Sequence, residues 1–423
     1  MKIALPVWLL VLMVLAIAAL AVIVWSVKRR RRPHLAIESQ AELDDLVPSI
    51  VGITQGTLAE GNHVELLQNG AFWDAVFRDI ANARETIHFE TFLSKEGELT
   101  RRMSKALCDK AKEGLQVRVM LDGSGGKKFG KQALADMCDA GVRVHKYHPI
   151  TLRNLGTINN RDHRKIVVLD GRVGYVGGHC LVDSWLGDAQ DKHHFRDITA
   201  RVEGPVVAQL QSAFSENWIE ECGEVPAGEH CFPKLEPRGT MKAHVVWTSP
   251  SGSPSTLKLL HYMAIHAAKK SITVQNPYFL PDPGARDSLV AAVKRGVEVR
   301  VMIPAADASD SPFVQHASHH HYGTLLKGGV RLFEYQRTLL HQKVLVIDGC
   351  WAAIGSTNFD DRSMDINEEI TMTVFDRDVS AELLEAFEAD LAHCERITLE
   401  EWQRRGPLEK TADYLAWRLR AQL

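Results

Sequence analysis

The chain of 423 residues carries the pattern H-x-K-x-x-x-x-D twice, and this duplication constrains its fold more than any other feature. The first copy runs from His163 to Asp170, and the second runs from His341 to Asp348. Each copy continues through an Asp-Gly turn into an apolar run that contains a glycine near its end. The β-branched residues and the turn predict that each copy is a strand entering a hairpin.

The duplication extends beyond the two motifs. The stretch EGLQVRVMLD at 113–122 is echoed by RGVEVRVMIP at 295–304, and AGVRVHKY at 140–147 is echoed by GGVRLFEY at 328–335. Strand-like runs and helical patterns alternate ahead of each motif. Such alternation predicts an α/β fold with a largely parallel or mixed sheet, present in two copies.

A stretch rich in proline and glycine at 226–240 separates the two halves. The C-terminal residues mix Trp, Leu and Arg, which fits a helix on a membrane surface or a helix packed on the protein itself. The predicted segments are a transmembrane anchor with its basic run (1–32), a polar linker (33–56), a first domain (57–225), the linker between halves (226–240), a second domain (241–398) and an amphipathic tail (399–423).

The N-terminal segment predicts a membrane anchor. No charged residue occurs in the 25 positions from Ile3 to Val27, and a run of one lysine and four arginines follows at 28–32. A helix of that length can cross a hydrocarbon core about 30 Å thick. The basic run would leave the rest of the chain on the cytoplasmic side. The alternative is a cleaved signal peptide with Ala16-Ile-Ala18 as its cleavage site.

The side chains of the two motifs suit chemistry on a phosphodiester. His163 and Lys165 are two positions apart, so on a strand they point to the same face, and the same holds for His341 and Lys343. Imidazole is a nucleophile and a proton carrier near neutral pH, and a lysine ammonium binds phosphate oxygens. If the halves pack about a pseudo-twofold axis, one histidine can attack phosphorus while the other protonates the leaving oxygen.

The two motifs, with the GSTN run at 355–358 after the second, resemble the phospholipase D superfamily. The resemblance covers residues 60–398, and the stretches around both motifs are most similar to bacterial cardiolipin synthases. It implies two duplicated α/β sandwich domains of the phospholipase D type, with the active site at their pseudo-twofold interface. It also implies a phosphatidyltransferase that makes cardiolipin from phosphatidylglycerol and needs neither a metal nor another cofactor.

The same resemblance implies roles for individual residues. His163 would form a phosphatidyl-histidine intermediate, while His341 would protonate the departing alcohol and later deprotonate the incoming one. An acidic residue downstream of each motif orients the histidine, which points to Asp197 in the first half and Glu369 in the second. The residues expected to hold the nonbridging phosphate oxygens are Lys165, Lys343 and Asn358.

The motif aspartates are expected to support structure, because Asp170 and Asp348 follow their histidines by an odd number of positions and face the other way. One position departs from the family pattern: Asn358 comes ten residues after Asp348, whereas Cys180 comes ten after Asp170. Cysteine is a poor hydrogen-bond donor, so the first half should hold phosphate less firmly unless His179 compensates. The further substrate-binding candidates are Gly178, His179, Cys180 and Ser356.

The motifs alone leave other activities open. Water as the acceptor would give a hydrolase that releases phosphatidic acid, and phosphodiesterases of nucleic acids share these motifs. A membrane-bound lipid-binding protein whose activity has decayed at Cys180 is a further alternative. The formal net charge of −3 and the apolar N-terminus argue against a nucleic-acid partner.

We therefore expect phospholipid substrates, with phosphatidylglycerol first and phosphatidylethanolamine as a further candidate. The expected location is the bacterial inner membrane, with a single pass and both domains on the cytoplasmic side; the sequence leaves the oligomeric state open. The stretch HASHHHYG at 316–323 contains four histidines, which suggests a metal site. No carboxylate partner at a suitable spacing is evident there, so we predict a helix near the mouth of the cleft instead.

Overall fold

The computed structural model describes residues 7–28, 35, 37, 41–149, 151, 159–249 and 255–418. The helices are α1 (Val7–Lys28), α2 (Leu43–Ile53), α3 (Ala71–Asn82), α4 (Glu98–Lys112), α5 (Lys131–Asp139), α6 (Val207–Cys222), α7 (Thr256–Ala267), α8 (Pro283–Lys294), α9 (Pro312–Lys327), α10 (Asp361–Asp365), α11 (Arg377–Leu391), α12 (Leu399–Arg404) and α13 (Pro407–Arg418). The strands are β1 (Ala59–Gln68), β2 (Thr86–Thr91), β3 (Gln116–Asp122), β4 (Arg143–Tyr147), β5 (Ile166–Leu169), β6 (Val173–Gly177), β7 (Ile198–Glu203), β8 (Met241–Thr248), β9 (Ser271–Gln275), β10 (Glu298–Pro304), β11 (Arg331–Tyr335), β12 (Val344–Ile347), β13 (Trp351–Gly355), β14 (Glu369–Phe375) and β15 (Cys394–Ile397).

Within the described residues, the strands form one mixed sheet of 15 strands in the order β15-β11-β10-β9-β12-β13-β14-β8-β1-β7-β6-β5-β2-β3-β4. Apart from β15, this order reads the same from both ends when each strand is exchanged for its counterpart in the other half. Strands β2, β3 and β4 are parallel, as are β9, β10 and β11. Strands β1 and β8 pair antiparallel at the centre, where the pseudo-twofold axis passes. The predicted duplicated α/β fold is confirmed.

A shared apolar core joins the two halves. Val168 and Val176 from the first half belong to the same buried cluster as Val346 and Ile354 from the second half. Burying one such side chain contributes about 1.5–3 kcal/mol, so separating the halves would expose a costly surface. Each half has a further core of its own, on the opposite face of its strands, covered by the remaining helices. The junction between the halves is therefore a permanent part of the fold.

The helices that cover each half follow the apolar spacing of the sequence. In α4, Leu99, Met103 and Leu107 recur every four positions and are all fully buried. In α8, Leu289 and Ala292 are buried in the corresponding core of the second half. Side chains three and four positions apart lie on one face of a helix, which is the face that each helix turns to the sheet.

The two motif aspartates close the hairpins β5–β6 and β12–β13. The φ angles are 53° at Asp170 and 60° at Gly171, and 53° and 64° at Asp348 and Gly349, a left-handed conformation that Asp and Gly tolerate. Each carboxylate accepts hydrogen bonds from three successive backbone N–H groups that lead into the neighbouring antiparallel strand, β2 for Asp170 and β9 for Asp348. The donors are Arg84, Glu85 and Thr86 for Asp170, and Lys269, Lys270 and Ser271 for Asp348.

The prediction that residues 33–56 form a linker is wrong for residues 43–53. Residues 43–53 form α2, and Leu43, Leu46 and Ile50 are buried in the core of the second half. Their spacing of three and four positions places them on one helical face. The helix is short and contains Pro48 and Gly52, two residues that are typical of linkers.

The described residues include no helix long and apolar enough to cross a membrane. The arginines at 29–32 and residues 1–6 and 419–423 lie outside the described residues. The C-terminal tail forms α12 and α13, and Ala416 of α13 packs beside Val314 and Ala317 of α9. The sequence left two alternatives for this tail, a helix on a membrane surface and a helix packed on the protein itself. In the structure, α13 packs on the protein itself.

Candidate active site

The two histidines lie where the halves meet. His163 lies three residues before the start of β5, and His341 lies three residues before the start of β12. The backbone N–H of His163 donates to the carbonyl of Glu368 at 2.9 Å, and that of His341 donates to the carbonyl of Arg196 at 2.8 Å. Each motif is thus held by the backbone of the other half. The pseudo-twofold relation extends to these individual hydrogen bonds.

Each histidine is oriented by a carboxylate from the opposite half. Nδ1 of His163 lies 2.9 Å from Oε1 of Glu369, and Nδ1 of His341 lies 2.9 Å from Oδ2 of Asp197. The sequence interpretation paired each acid with the histidine of its own half, so the pairing is crossed relative to that expectation. The cause is the sheet order: Asp197 and Glu369 begin the segments of β7 and β14, which lie next to the central pair β1–β8.

Burial and neighbouring charges set the protonation of this site. Burial, opposed by Glu369, lowers the pKa of His163 to about 4, and burial together with Lys343 lowers the pKa of His341 to about 4. Burial alone would raise the pKa of Glu369, but His163 holds it below its usual range. At neutral pH both imidazoles are therefore neutral. With the proton on Nδ1 facing the carboxylate, Nε2 of each ring carries a lone pair. In His341 this nitrogen lies 2.9 Å from Nζ of Lys343.

The two motif lysines are buried beside the histidines. Nζ of Lys165 donates to the carbonyl of His163 at 2.5 Å, and Nζ of Lys343 donates to the carbonyl of His341 at 2.5 Å. Burial lowers the pKa of Lys343 to about 7; Asp197 opposes that shift, and the charge of Lys165 adds to it. Two buried cations that repel each other are stabilised by an anion placed between them. This arrangement suits a phosphate group.

A cavity of about 360 Å³ opens onto His163 and Asn358. Asn358 is buried, and its Oδ1 has no hydrogen-bond partner within the described part of the chain, so this oxygen can accept a hydrogen bond from a ligand hydroxyl. The remaining lining residues include apolar and aromatic side chains as well as polar and charged ones, and the charged ones lie in or beside α10. They are Phe92, Tyr278, Leu280, Ser311, Val314, Asp360, Asp361, Arg362, Ser363 and Asn367.

Two of the predicted substrate-binding residues contact the orienting acids. The hydroxyl of Ser356 donates to Oε2 of Glu369. At the equivalent place in the first half, a Cβ on Gly178 would lie 2.5 Å from Oδ1 of Asp197, so only glycine fits there. Both residues therefore contact or closely approach the orienting acids, and their predicted role in substrate binding stays a prediction.

The expectation that His179 compensates for Cys180 is wrong. Nδ1 of His179 lies 2.7 Å from Oγ1 of Thr199, and its Nε2 lies 2.8 Å from the carbonyl oxygen of Asn69, so both ring nitrogens are engaged. Cys180 is also buried, with its Sγ 3.8 Å from the carbonyl oxygen of Gly178. Both nitrogens of the imidazole thus bind partners within the first half, which leaves neither of them for a phosphate oxygen.

The family described as "Cardiolipin synthase, PLD-like domain" matches residues 76–218 and 262–391. The chain is also 35% identical to cardiolipin synthase A of Pseudomonas fluorescens, over 82% of this chain and 72% of that protein. The chain belongs to the cardiolipin synthase family of PLD-like proteins. The major cardiolipin synthase of Bacillus subtilis is 32% identical, over 85% of this chain and 75% of that protein.

Solved structures share the fold at low sequence identity. A phosphatidylserine synthase from Haemophilus influenzae superposes with a TM-score of 0.64 at 13% identity, covering 87% of this chain and 95% of that chain. A polyphosphate kinase from Porphyromonas gingivalis superposes with a TM-score of 0.55 at 13% identity, covering 88% of this chain and 52% of that chain. At such identities the likeness establishes the architecture alone, and this member of the cardiolipin synthase family shares it.

Two aromatic residues of the site were not predicted from the sequence. The indole N–H of Trp185 donates to Oδ2 of Asp197 at 2.8 Å, and its ring meets the His341 ring edge-on at 5.0 Å. Phe92 meets the His163 ring at 4.9 Å and lies 5.3 Å from Nζ of Lys165. The one available signal was a tryptophan in a polar loop, since a buried indole needs a partner for its N–H.

Proposed function

We propose that this chain is a phosphatidyltransferase that makes cardiolipin from two phosphatidylglycerol molecules. The observation that carries the proposal is the meeting of two His-Lys pairs, one from each half, at a junction where the opposite half supplies the orienting acid. Membership of the family and the names of its curated relatives support the same reaction. The donor, the acceptor and the role of each residue are parts of this proposal.

His163 is the nucleophile of the first step. Its Nε2 lone pair attacks phosphorus of the donor lipid, so a P–N bond forms while the P–O bond to the glycerol headgroup breaks. His341 supplies the proton to the departing oxygen. An arriving phosphodiester anion raises the pKa of His341, so the acid form is available only with substrate bound. The position of His163 in the cavity wall supports its assignment as the attacking group.

The second step reverses the roles. A primary hydroxyl of the second phosphatidylglycerol gives its proton to the now neutral His341 and attacks phosphorus opposite His163. The P–N bond breaks, cardiolipin leaves, and Nε2 of His163 regains its lone pair. Lys165, Lys343 and Asn358 hold the nonbridging oxygens through both displacements.

The cavity supports a lipid carrying a polar headgroup. Tyr278, Leu280 and Val314 offer an apolar wall, which suits the glycerol backbone and the first methylenes of acyl chains. Asp360 and Arg362 supply hydrogen-bonding groups on the other side, which suit the hydroxyls of a glycerol headgroup. A site with both walls favours phospholipid over a free phosphate ester.

We expect kcat/KM to fall as the pH rises through about 7, because Lys343 loses its charge there. Since the folded-state pKa of Lys343 is depressed, the charged form that binds phosphate is present below that pH and is lost above it. A Lys343→Arg variant should move this alkaline limb to higher pH, since guanidinium stays charged. The measurement is kcat/KM against pH for both proteins. An alkaline limb at the same pH in the variant would contradict the assignment.

Replacing Cys180 with Asn is expected to raise kcat/KM by no more than about tenfold, because one neutral hydrogen bond contributes about 0.5–1.5 kcal/mol. Cardiolipin formation should be compared in Cys180→Asn and in Cys180→Ala, which removes the thiol without adding a donor. A gain far above tenfold in the asparagine variant would instead favour an enzyme whose activity has decayed at this position.

The segment 3–27 is proposed to anchor the protein in the bacterial inner membrane, with both domains on the cytoplasmic side. The uncharged sequence of this segment and the basic run that follows it support this. Deleting residues 1–32 should move the protein from the membrane fraction to the supernatant after an alkaline wash. Retention of the shortened chain in the membrane would contradict the anchor.

The experiment that tests the proposed reaction is lipid mass spectrometry on purified protein. Detergent-solubilised protein is given phosphatidylglycerol with and without phosphatidylethanolamine, beside a His163→Ala variant. We expect cardiolipin and free glycerol with the intact protein and neither with the variant. Phosphatidic acid as the sole product would contradict the transferase in favour of hydrolysis. Equal cardiolipin from the variant would contradict the role of His163.

A further inference from the structure

The C-terminal helix α13 brings a buried carboxylate to two histidines of α9. Nδ1 of His316 lies 2.9 Å from Oδ1 of Asp413, and Nδ1 of His319 lies 3.8 Å from the same oxygen. The Asp413 side chain is 3% exposed, whereas His316 is 47% exposed and His319 12% exposed. One ligand-type atom from each of these three residues lies within 4.8 Å of the others.

We propose that His316, His319 and Asp413 bind one Zn²⁺ ion that fastens α13 to α9. Imidazole nitrogen and carboxylate oxygen are common zinc ligands, at about 2.0–2.2 Å from the ion. A tetrahedral ion at that distance spaces its ligand atoms about 3.3 Å apart, so small side-chain rotations suffice here. Three protein ligands leave the fourth position to water. The carboxylate comes from a residue 97 positions beyond His316, which is why the local sequence suggested no partner.

The groups around the three ligands support binding of an ion. Nε2 of His319 lies 3.6 Å from Oε1 of Glu334. An imidazole that binds zinc through one nitrogen commonly donates its other N–H to a carboxylate, which fixes the ring. Arg405 donates to Oδ2 of Asp413 at 2.6 Å, so Oδ1 remains for the metal. The charge of Arg405 opposes a cation and limits the affinity.

Fastening α13 to α9 would stabilise one wall of the catalytic cavity. Ser311 and Val314, just before and within the first turn of α9, line that cavity. Val314 also belongs to the small apolar cluster that includes Ala416 of α13. None of the three ligands lines the cavity, so the ion would act on the tail and take no part in the transfer chemistry.

The test is a zinc titration of the full-length protein in detergent, purified without a polyhistidine tag, in competition with a chromophoric chelator. We expect one Zn²⁺ per chain, with affinity reduced roughly tenfold or more in His316→Ala and in His319→Ala. His63→Ala, which removes an exposed histidine on β1, is the matched control and should bind as the intact protein does. Zinc should also raise the Tm of the intact protein and of the control, but not of the His316 variant.

A second variant separates metal binding from a purely structural ion pair. Arg405→Gln removes the competing cation, so zinc should bind more tightly by a measurable factor, whereas loss of a structural pair alone would not increase affinity. The proposal is overturned if the intact protein binds no zinc, or if His316→Ala binds it as tightly as the control. Because none of these readouts uses lipid, they are independent of the proposed transferase reaction.

Discussion

A His341→Ala variant, given a phosphatidyl ester of p-nitrophenol, should release one equivalent of nitrophenol per chain in a rapid burst and then stall. The nitrophenolate leaves without a proton, so His163 can still attack phosphorus and form the P–N bond. The following step stops because no base remains to deprotonate the incoming alcohol. On phosphatidylglycerol, which needs a proton for its leaving group, the same variant should be slower by about 10²- to 10⁴-fold.

The burst is measured by absorbance in rapid mixing, and intact-protein and peptide mass spectrometry locate the adduct. The phosphatidyl group should be found on His163, and a His163→Ala variant should give neither burst nor adduct. A burst from His163→Ala with an adduct on His341 would show that the two histidines exchange the assigned roles. Slow continuous release with no adduct on either residue would contradict covalent catalysis.

The second large effect concerns the crossed acids. Glu369→Gln should slow formation of the covalent adduct by about 10³- to 10⁴-fold, because it removes the charge that orients His163 in its reactive tautomer. Asp197→Asn should leave the nitrophenol burst intact and slow the later transfer, because its partner is His341. If each acid served the histidine of its own half, the two variants would exchange these effects.

The comparison requires single-turnover measurements of burst and transfer in both variants. Ser356→Ala serves as a matched control, since it removes one hydrogen bond to Glu369 and keeps the carboxylate. Its effect should be confined to the burst phase and amount to about tenfold or less. If Glu369→Gln and Asp197→Asn each slowed the burst and the later transfer equally, the assignment of Glu369 to the first step and Asp197 to the second would be contradicted.

Much of the fold, and the choice of the main candidate site residues, could be predicted from local sequence patterns. The repeated motifs, the alternation of strands and helices and the Asp-Gly turns are all short-range features, and they led to the duplicated α/β fold that the structure has. The choice of His163, Lys165, His341 and Lys343 needed no tertiary information, because residues two apart on an extended segment share a face. The departure at Cys180 was also visible in the sequence.

The partners of these residues depend on contacts between distant parts of the chain. His163 meets Glu369 across 206 positions and His341 meets Asp197 across 144, and no local pattern records which acid crosses the junction. Local patterns also do not show that the three buried apolar residues of α2 pack in the core of the second half. Nor do they show that Asp413 lies beside His316. Secondary structure follows from neighbours in sequence. The pairing of side chains across a pseudo-twofold axis depends instead on the spatial order of the strands in the sheet, which brings distant parts of the chain together.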